Sequence, residues 1–234
     1  MENIDRIYYI NLDRRPDRNI HFINECKSQE LPTDKVYRMK AIDGLTYMFS
    51  LDEEMLFKNA DFLHLPRTMV HKLMGNQLSH YYILHDIVRK NNEYSIVLQD
   101  DAIFIPDFKH YINELIPKIP EDAEIVNIGL HAVAEYSYFE PWIFDTTTND
   151  VDKISKHVVN SHICKMKPDM NPCSLAYIAT LQGAKNMIAH FNETGFRKAT
   201  DHNFNEYLIE KDIFYSSNTI LVTGNPKLGS DIFT

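Results

Sequence analysis

Two adjacent carboxylates, Asp100 and Asp101, follow a short apolar and β-branched run at Ser95–Leu98. Such a run predicts a strand that is buried on both faces of a sheet. Charged groups in so apolar a segment are costly unless a cation, a hydrogen-bonded ligand or an arginine offsets them. Because open α/β sheets bind ligands at the carboxyl ends of their strands, the pair indicates a candidate site. The alternative is a pair of loop acids that cap a turn.

Three arginines, Arg14, Arg15 and Arg18, form a second candidate group. They follow a predicted first strand at Arg6–Leu12, and Pro16 suits the first turn of a helix. Backbone amides at a helix N-terminus attract anions, and arginine forks match the geometry of a diphosphate. The pattern therefore predicts an anion site, while a solvated basic turn remains the alternative.

Two more acids stand at predicted boundaries of secondary structure. Asp43 lies in an Asp-Gly turn after a predicted strand at Val36–Lys40, where its carboxylate suits a contact to a ribose or a base. Thr200-Asp201 stands where the N-cap of a predicted helix should be, before Phe204. The pattern alone therefore gives Asp201 the role of a cap.

Ser79 and His80 lie within a long amphipathic helix predicted over Val70–Lys90. Gly75, in the same helix, would allow a close backbone approach by another segment. A histidine at such a position is either a ligand or an ordinary core or surface residue. The sequence pattern does not choose between these readings of His80.

The rest of the chain alternates predicted strands with predicted helices, which favours one α/β domain over residues 1–234. The further predicted strands are Glu124–Leu130, His162–Met166, Leu175–Thr180, Ile213–Tyr215 and Ile220–Val222. The further predicted helices are Asp107–Ile116 and Gln182–Phe191. Residues 45–67 carry no clear pattern.

Composition narrows the classes of function and location. A formal net charge of −9 argues against nucleic acid as the main partner, because that surface needs clustered lysine and arginine. No run approaches the roughly 20 apolar residues of a membrane span, and Met1–Arg6 lacks the features of a signal peptide. The three cysteines are odd in number and show no Cys-x-x-Cys spacing. A cytoplasmic protein with reduced thiols is therefore expected.

Four separated segments together resemble glycosyltransferase family 25, which includes bacterial lipooligosaccharide and collagen hydroxylysine galactosyltransferases. They are Tyr9–Arg18, Ala41–Gly44, Leu78–His80 and Gln99–Asp101. Further landmarks of the family are Ser174–Ile178, Gly183-Ala184, Asp201 and Leu228–Asp231, so the resemblance covers nearly the whole chain. It implies a GT-A-like nucleotide-binding α/β sandwich with a central mixed, mostly parallel sheet.

The resemblance also implies a reaction, in which a hexose (galactose or glucose) moves with inversion from a UDP-sugar to a hydroxyl. The acceptor would be a glycan or a protein, with collagen-like hydroxylysine among the candidates. The implied metal is Mn²⁺, or Mg²⁺ in its place, held by Asp101 and Asp100, and the implied general base is Asp201. The residues implied in binding the donor are Asn11, Leu12, Arg14, Arg15, Arg18, Asp43, Ser79, His80, Gln99 and Asp100.

One position departs from the pattern of the family. The family usually has Glu-Asp-Asp, whereas this chain has Gln99 before its two aspartates. Since side chains alternate along a strand, Gln99 and Asp101 would face one way and Asp100 the other. The site therefore lacks one negative charge, although the carbonyl of a glutamine can still accept a hydrogen bond or bind a metal.

Two other functions stay open beside the transferase. Gln99 is compatible with a catalytically degenerate module that binds UDP-sugars or glycans without transfer. A metal-dependent phosphoester hydrolase could use the two aspartates, but the chain lacks the additional clustered histidines and aspartates that this chemistry needs.

An aromatic cluster has two interpretations: it is either a flap that contacts the acceptor or a strand whose aromatic side chains lie in the core. Its members are Tyr136, Tyr138, Phe139 and Trp142.

Overall fold

The computed structural model describes residues 1–130, 155–168 and 174–232. Its strands are β1 (Arg6–Asn11), β2 (Val36–Lys40), β3 (Tyr94–Gln99), β4 (Ala102–Phe104), β5 (Ile125–Asn127), β6 (Gly129–Leu130), β7 (Ser155–Val158), β8 (Ile163–Met166), β9 (Ala176–Thr180), β10 (Tyr215–Ser217) and β11 (Val222–Gly224). Its α-helices are α1 (Pro16–Ser28), α2 (Leu51–Leu56), α3 (Arg67–Lys90), α4 (Phe108–Leu115), α5 (Leu181–Thr194) and α6 (Thr200–Glu210). Short 3₁₀ helices lie at Thr33–Lys35, Asp61–His64, Ile116–Lys118 and Pro226–Leu228.

Eight of the described strands form one mixed sheet in the order β2-β1-β3-β9-β5-β10-β8-β7. β1 pairs in parallel with β2 and β3, and β5 pairs in parallel with β10. β9 and β8 run against both of their neighbours, so the other six strands share one direction. The expected α/β class with a mixed central sheet is confirmed. A second sheet has the order β4-β11-β6.

The parallel pairing of β1 with β3 decides where the polar residues meet. Ile10 of β1 lies opposite Gln99 of β3 in the register. The next residue of β1, Asn11, therefore lies at the same edge of the sheet as the Asp100-Asp101 turn. Because both strands are almost fully buried, the edge is fixed by the core beneath it.

Helix α3 is the longest described helix and matches the sequence prediction closely. Its buried side chains recur at helical spacing, and its C-cap Asn91 adopts a left-handed conformation with φ of 56°. Arg89 and Lys90 in its last turn interact favourably with the helix dipole. Neither α3 nor any other described helix combines the length and the apolar character needed to cross a membrane.

Residues 45–67, left unassigned above, contain α2 and a 3₁₀ helix. Ser50 caps α2 by accepting a hydrogen bond from the Glu53 backbone amide, and the Glu53 side chain accepts one from the Ser50 amide. This reciprocal capping box has a sequence signature, Ser-x-x-Glu, that the chain carries at this point. The helix was therefore readable from the sequence and was missed.

Three predicted boundaries were wrong. The strand expected over Glu124–Leu130 breaks at Ile128 into β5 and β6, which belong to different sheets. The Ile128 carbonyl accepts from the backbone amides of Leu221 and Val222, and this contact carries the chain into the second sheet. The strands expected at Ile213–Tyr215 and Ile220–Val222 each lie two residues later, as β10 and β11.

Some sequence predictions lie outside the described residues. The aromatic cluster of Tyr136, Tyr138, Phe139 and Trp142 is one, and Cys173 is another. The other two thiols, Cys26 and Cys164, are buried and free. Burial raises the pKa of Cys26 to about 12 and that of Cys164 to about 11, so neither is a reactive thiolate at neutral pH.

Candidate active site

The acidic pair lies in the turn directly after β3, where both side chains are buried. Asp100 is 5% exposed and Asp101 is 3% exposed. Oδ1 of Asp100 accepts from Nη1 of Arg18 at 2.8 Å, and its Oδ2 accepts from Nδ2 of Asn11 at 2.7 Å. Oδ2 of Asp101 lies 3.8 Å from the same Arg18 nitrogen. The cost of burying these two carboxylates is therefore offset by pairing with an arginine, which is one of the means expected from the sequence.

The electrostatics of Asp100 follow from this burial. Loss of solvent raises the pKa of Asp100, and the neighbouring Asp101 carboxylate raises it further. The charge of Arg18 and the hydrogen bonds from Asn11 and Arg18 oppose this effect without cancelling it. Arg18 therefore favours the ionised form of Asp100, and the charge state of Asp100 is coupled to the presence of Arg18.

The donor set suits a hard divalent cation. Mn²⁺ and Mg²⁺ prefer oxygen ligands, and such sites commonly use one or two carboxylates together with phosphates of the substrate. Asp100 and Asp101 are the two carboxylates that could hold such a cation, and both Asp100 oxygens also accept hydrogen bonds. Across the described part of the chain, no group of three or more acidic, histidine or cysteine side chains is arranged to hold a metal by itself. The residues therefore fit a cation whose ligand shell a phosphate completes.

The three arginines converge on one carboxylate near the C-terminus, that of Asp231. Nη1 of Arg14 donates to Oδ1 of Asp231 at 2.5 Å, and Nη1 of Arg15 donates to Oδ2 at 2.5 Å. Nε of Arg18 lies 3.7 Å from Oδ2. Burial works to raise the pKa of Asp231, but the hydrogen bond from Arg14 and the charges of all three arginines outweigh it and lower that pKa. The cluster thus binds an anion, and this anion is a side chain of the same protein.

Backbone contacts fix the C-terminal segment over the arginines. The carbonyl of Leu228 accepts from Nη2 of Arg15 at 3.0 Å, and that of Gly229 accepts from Nη2 of Arg18. Gly229 has φ of 69°, a left-handed conformation that favours glycine. This turn brings Asp231 back toward α1. Sequence reasoning noted Leu228–Asp231 as a landmark but gave Asp231 no role.

Asn11 and Leu12 organise the start of the arginine segment. Nδ2 of Asn11 donates to the Arg15 carbonyl at 3.0 Å as well as to Asp100, while its Oδ1 accepts from Nε of Arg38. The Leu12 carbonyl accepts from the Arg15 amide at 2.9 Å. Both residues therefore shape the turn from which Arg14 and Arg15 reach Asp231, and Asn11 also ties that turn to Asp100.

The turn that carries Asp43 is held against α3 at backbone distance. Oδ2 of Asp43 accepts from Nε of Arg14 at 2.7 Å, which joins the turn to the arginine cluster. A Cβ added at Gly75 would lie 2.4 Å from the Ile42 carbonyl oxygen, so the close approach predicted for Gly75 is confirmed. Oγ of Ser79 accepts from the Ile42 amide at 2.9 Å. Ser79 therefore positions the Asp43 turn.

His80 lies inside the core and is 0% exposed. Its Nδ1 is 2.9 Å from the hydroxyl of Tyr177, and its ring packs against the rings of Tyr177 and Phe204. Burial lowers the pKa of His80 to about 3, so the imidazole is neutral at physiological pH. Tyr177 also lines a pocket that contains Asp201, so His80 contacts the wall of that pocket through Tyr177.

Asp201 lines a pocket beside β5 and β9, in the first turn of α6. The other polar lining residues are Asn127, Ser174 and Asn205. The apolar and aromatic lining residues are Ile125, Tyr177, Phe204, Leu208, Phe214 and Tyr215. Its volume of about 20 Å³ is roughly that needed by one water molecule, so the pocket is a small crevice with a few polar groups on an apolar wall.

The N-cap prediction for Thr200-Asp201 was wrong, because the cap of α6 is Ala199. The Asn203 side chain instead binds the chain before the helix, since its Oδ1 accepts from the amides of Arg197 and Lys198 at 3.1 Å each. The helix consequently begins one residue earlier than expected. Asp201 is thus an acid in the first turn of α6 and one of the residues that line the pocket.

Gln99 joins the acidic pair to this pocket. Its Nε2 lies 3.3 Å from both the carbonyl oxygen and the hydroxyl of Ser174, and its backbone amide donates to the Leu175 carbonyl at 2.9 Å. Ser174 lines the pocket together with Asp201. A chain of contacts therefore connects the arginine cluster through the acidic pair and Gln99 to the Ser174 wall of the Asp201 pocket.

Comparison with known proteins identifies the family of the chain. Residues 4–204 match the family described as "Glycosyltransferase family 25 (LPS biosynthesis protein)". The chain belongs to glycosyltransferase family 25. The resemblance stated from the sequence is therefore confirmed.

Several curated members of family 25 are similar to this chain. Human "Procollagen galactosyltransferase 2" is 24% identical over 98% of this chain and 37% of its own length. A "Glycosyltransferase 25 family member" of Aedes aegypti is 29% identical over 79% of this chain and 28% of its own length. This family-25 chain thus spans about a third of the length of these relatives. The solved structure of mouse "Xyloside xylosyltransferase 1" in its apo form aligns with a TM-score of 0.44 at 11% identity, covering 89% of this chain and 83% of that one.

Proposed function

We propose that this member of family 25 transfers a hexose from a UDP-sugar to a hydroxyl of a glycan or protein acceptor, with inversion. The observation that carries the proposal is the connected site, in which three arginines and two buried aspartates lie at one end and Asp201 at the other. Galactose is the favoured hexose, because the procollagen relatives are named as galactosyltransferases.

The arginine cluster serves the donor in this proposal. Arg14 and Arg15 present guanidinium forks to the Asp231 carboxylate, and a diphosphate offers the same kind of acceptor oxygens with more charge. Asp101, with Asp100 beside it, would hold the divalent cation. When bound, Mn²⁺ or Mg²⁺ would neutralise the charge that develops on the departing diphosphate. Arg18 pairs with Asp100 next to that position and favours its ionised form against the effect of burial.

Asp201 is the general base that acts on the acceptor in this proposal. Its carboxylate accepts the proton of the acceptor hydroxyl while the hydroxyl oxygen bonds to the anomeric carbon of the sugar. The bond from that carbon to the diphosphate oxygen breaks in the same step, and its electron pair leaves with UDP. An attack from the face opposite the leaving group inverts the configuration, and a well-placed base contributes about 10²- to 10⁴-fold to such a step.

One observation favours a second candidate, the catalytically degenerate module. Asp100 is already paired with Arg18, and Gln99 adds no charge, so the negative charge offered to a metal is small. A phosphoester hydrolase has no comparable support, because the described residues hold no cluster of three metal-binding side chains.

A panel of nucleotide sugars tests the proposal. The purified chain is incubated with each sugar and Mn²⁺ or EDTA, and UDP release is measured before an acceptor screen with the best donor. Metal-dependent release with one or two UDP-hexoses is expected. UDP binding without release or transfer would identify the degenerate module, and absence of both binding and release would contradict either function.

A further inference from the structure

The side chain of Gln99 faces two polar atoms of Ser174, and one of them, the backbone carbonyl oxygen, requires a hydrogen-bond donor. The carbonyl oxygen of Ser174 can only accept a hydrogen bond, so the side of Gln99 that faces it must be the NH₂ group. The same nitrogen lies 3.3 Å from the Ser174 hydroxyl. Gln99 Oε1 is consequently directed away from Ser174.

We propose that Gln99 is a positioning residue, whose amide N–H group holds the Ser174 wall of the Asp201 pocket in register with the Asp100-Asp101 turn. The inference rests on the proposed function, because the Ser174 wall belongs to the part of the site that is proposed to bind the acceptor. Gln99 acts through Ser174 and takes no part in bond making or breaking. Its charge-free side chain is therefore a requirement of this contact rather than a defect in an acidic motif.

The alternatives to an amide at this position fail for separate physical reasons. An ionised glutamate has no donor, and its oxygens would face the lone pairs of the Ser174 carbonyl at 3.3 Å. It would also add a third carboxylate beside Asp100 and Asp101, which already share the guanidinium of Arg18 as an ion-pair partner. A methionine has nearly the same length but neither donor nor charge, so it removes the hydrogen bond alone.

The expected functional effect is confined to one side of the site. Ser174 lines the pocket with Asp201, whereas the arginines that serve the donor are held by Asp231, Asp43 and Asn11. A shift of the Ser174 wall should therefore change the acceptor KM and the rate of transfer. Donor hydrolysis without acceptor should change little, because water needs no oriented pocket wall.

The experiment compares Gln99→Met, Gln99→Glu and a matched control, Gln29→Glu. Gln29 is also part-buried, but its Oε1 accepts from the Phe108 amide at 3.3 Å, a role that a carboxylate fills equally well. Transfer kinetics are measured well below the melting temperature with saturating Mn²⁺, and melting temperatures are measured in EDTA. Both Gln99 variants should raise the acceptor KM or lower the transfer kcat about tenfold, with donor hydrolysis within about twofold of wild type. Gln29→Glu should match wild type in both assays.

Three results would overturn the inference. If Gln99→Glu tightens metal-dependent UDP binding and speeds transfer, Gln99 is a weak substitute for a metal-binding acid. If both variants lower transfer and donor hydrolysis to the same extent, or melt early with unchanged kinetics, the contact is merely structural. The proposed function fails separately, when wild type itself neither hydrolyses nor transfers any nucleotide sugar.

Discussion

Nη1 of Arg18 lies 2.8 Å from Oδ1 of Asp100 and 3.8 Å from Oδ2 of Asp101, so one buried cation serves both acids of the turn after β3. All three side chains are less than a tenth exposed. Breaking a buried pair is far more damaging than never having one, because the remaining charge is left without solvent or partner. Arg18 is therefore the residue on which the acidic pair depends.

The first prediction concerns that dependence. Arg18→Met should lower the free energy of unfolding by about 3–5 kcal/mol, because two carboxylates lose their shared counter-charge. Denaturation by urea measures this change. Arg89→Met is the matched control, since Arg89 pairs with Asp86 at the surface and is 72% exposed. The control should cost no more than about 1 kcal/mol, and an equal cost for both variants would contradict the role given to Arg18.

The second prediction concerns Asp231. Asp231→Asn should tighten UDP binding in EDTA about tenfold, because the charged rival for Arg14 and Arg15 is removed. Titration calorimetry measures the affinity, and Asp212→Asn, at an exposed acid paired with Lys165 of β8, is the control. Weaker UDP binding by Asp231→Asn would show instead that Asp231 supports the donor site.

The stabilising effect of the contact between Asp231 and the arginines depends on pH in a definite direction. The arginines lower the pKa of Asp231 below its value in the unfolded chain, despite burial. Its stabilising effect is therefore complete above the unfolded pKa of about 3.9 and is lost as the pH falls through the lowered value. The difference in UDP affinity between wild type and Asp231→Asn should accordingly stay constant from pH 5 to pH 8.

The third prediction concerns the metal. Asp101→Asn should abolish the part of UDP binding that requires Mn²⁺ and should leave binding in EDTA unchanged, because the arginines are intact. Asp107→Asn, in a left-handed turn that asparagine tolerates, is the control. Metal-dependent binding that survives Asp101→Asn within a few-fold would remove Asp101 from the ligand set.

The fourth prediction concerns the base. Asp201→Asn should reduce transfer about 10²- to 10⁴-fold. Since Ala199 is the cap of α6, the variant loses no N-cap bond, and its melting temperature should stay close to that of wild type. Glu206→Gln, on the same helix at an exposed position, controls for charge. Normal turnover with early melting would make Asp201 structural.

The sequence predicted those parts of the fold that local patterns determine. The apolar run before Asp100, the proline at the start of α1 and the helical spacing in α3 each depend on neighbouring residues, and each element was found. The break at Ile128 depends instead on pairing with Leu221 and Val222, which lie more than ninety residues away. Periodicity carries no information about such partners.

The residues of the candidate site likewise divide into those that a local pattern identified and those that depend on distant partners. Arg14, Arg15 and the acidic pair were identified by residue type and spacing. The convergence of the arginines on Asp231 was not, because Arg15 and Asp231 are separated by 216 residues. The amide-specific contact of Gln99 was missed for a related reason, since the sequence shows which residue departs from the family but not what that residue touches.

The glycines of the site differ in the space around them, and so in the reason for which each position requires glycine. At Gly44 and Gly75 an added Cβ would collide with the His71 carbonyl at 1.9 Å and the Ile42 carbonyl at 2.4 Å, so the Asp43 turn and α3 have no slack between them. At Gly229, by contrast, an added Cβ would meet nothing within 4 Å. Positions 44 and 75 therefore exclude any larger side chain on steric grounds, whereas position 229 has room for one and favours glycine only through its φ of 69°.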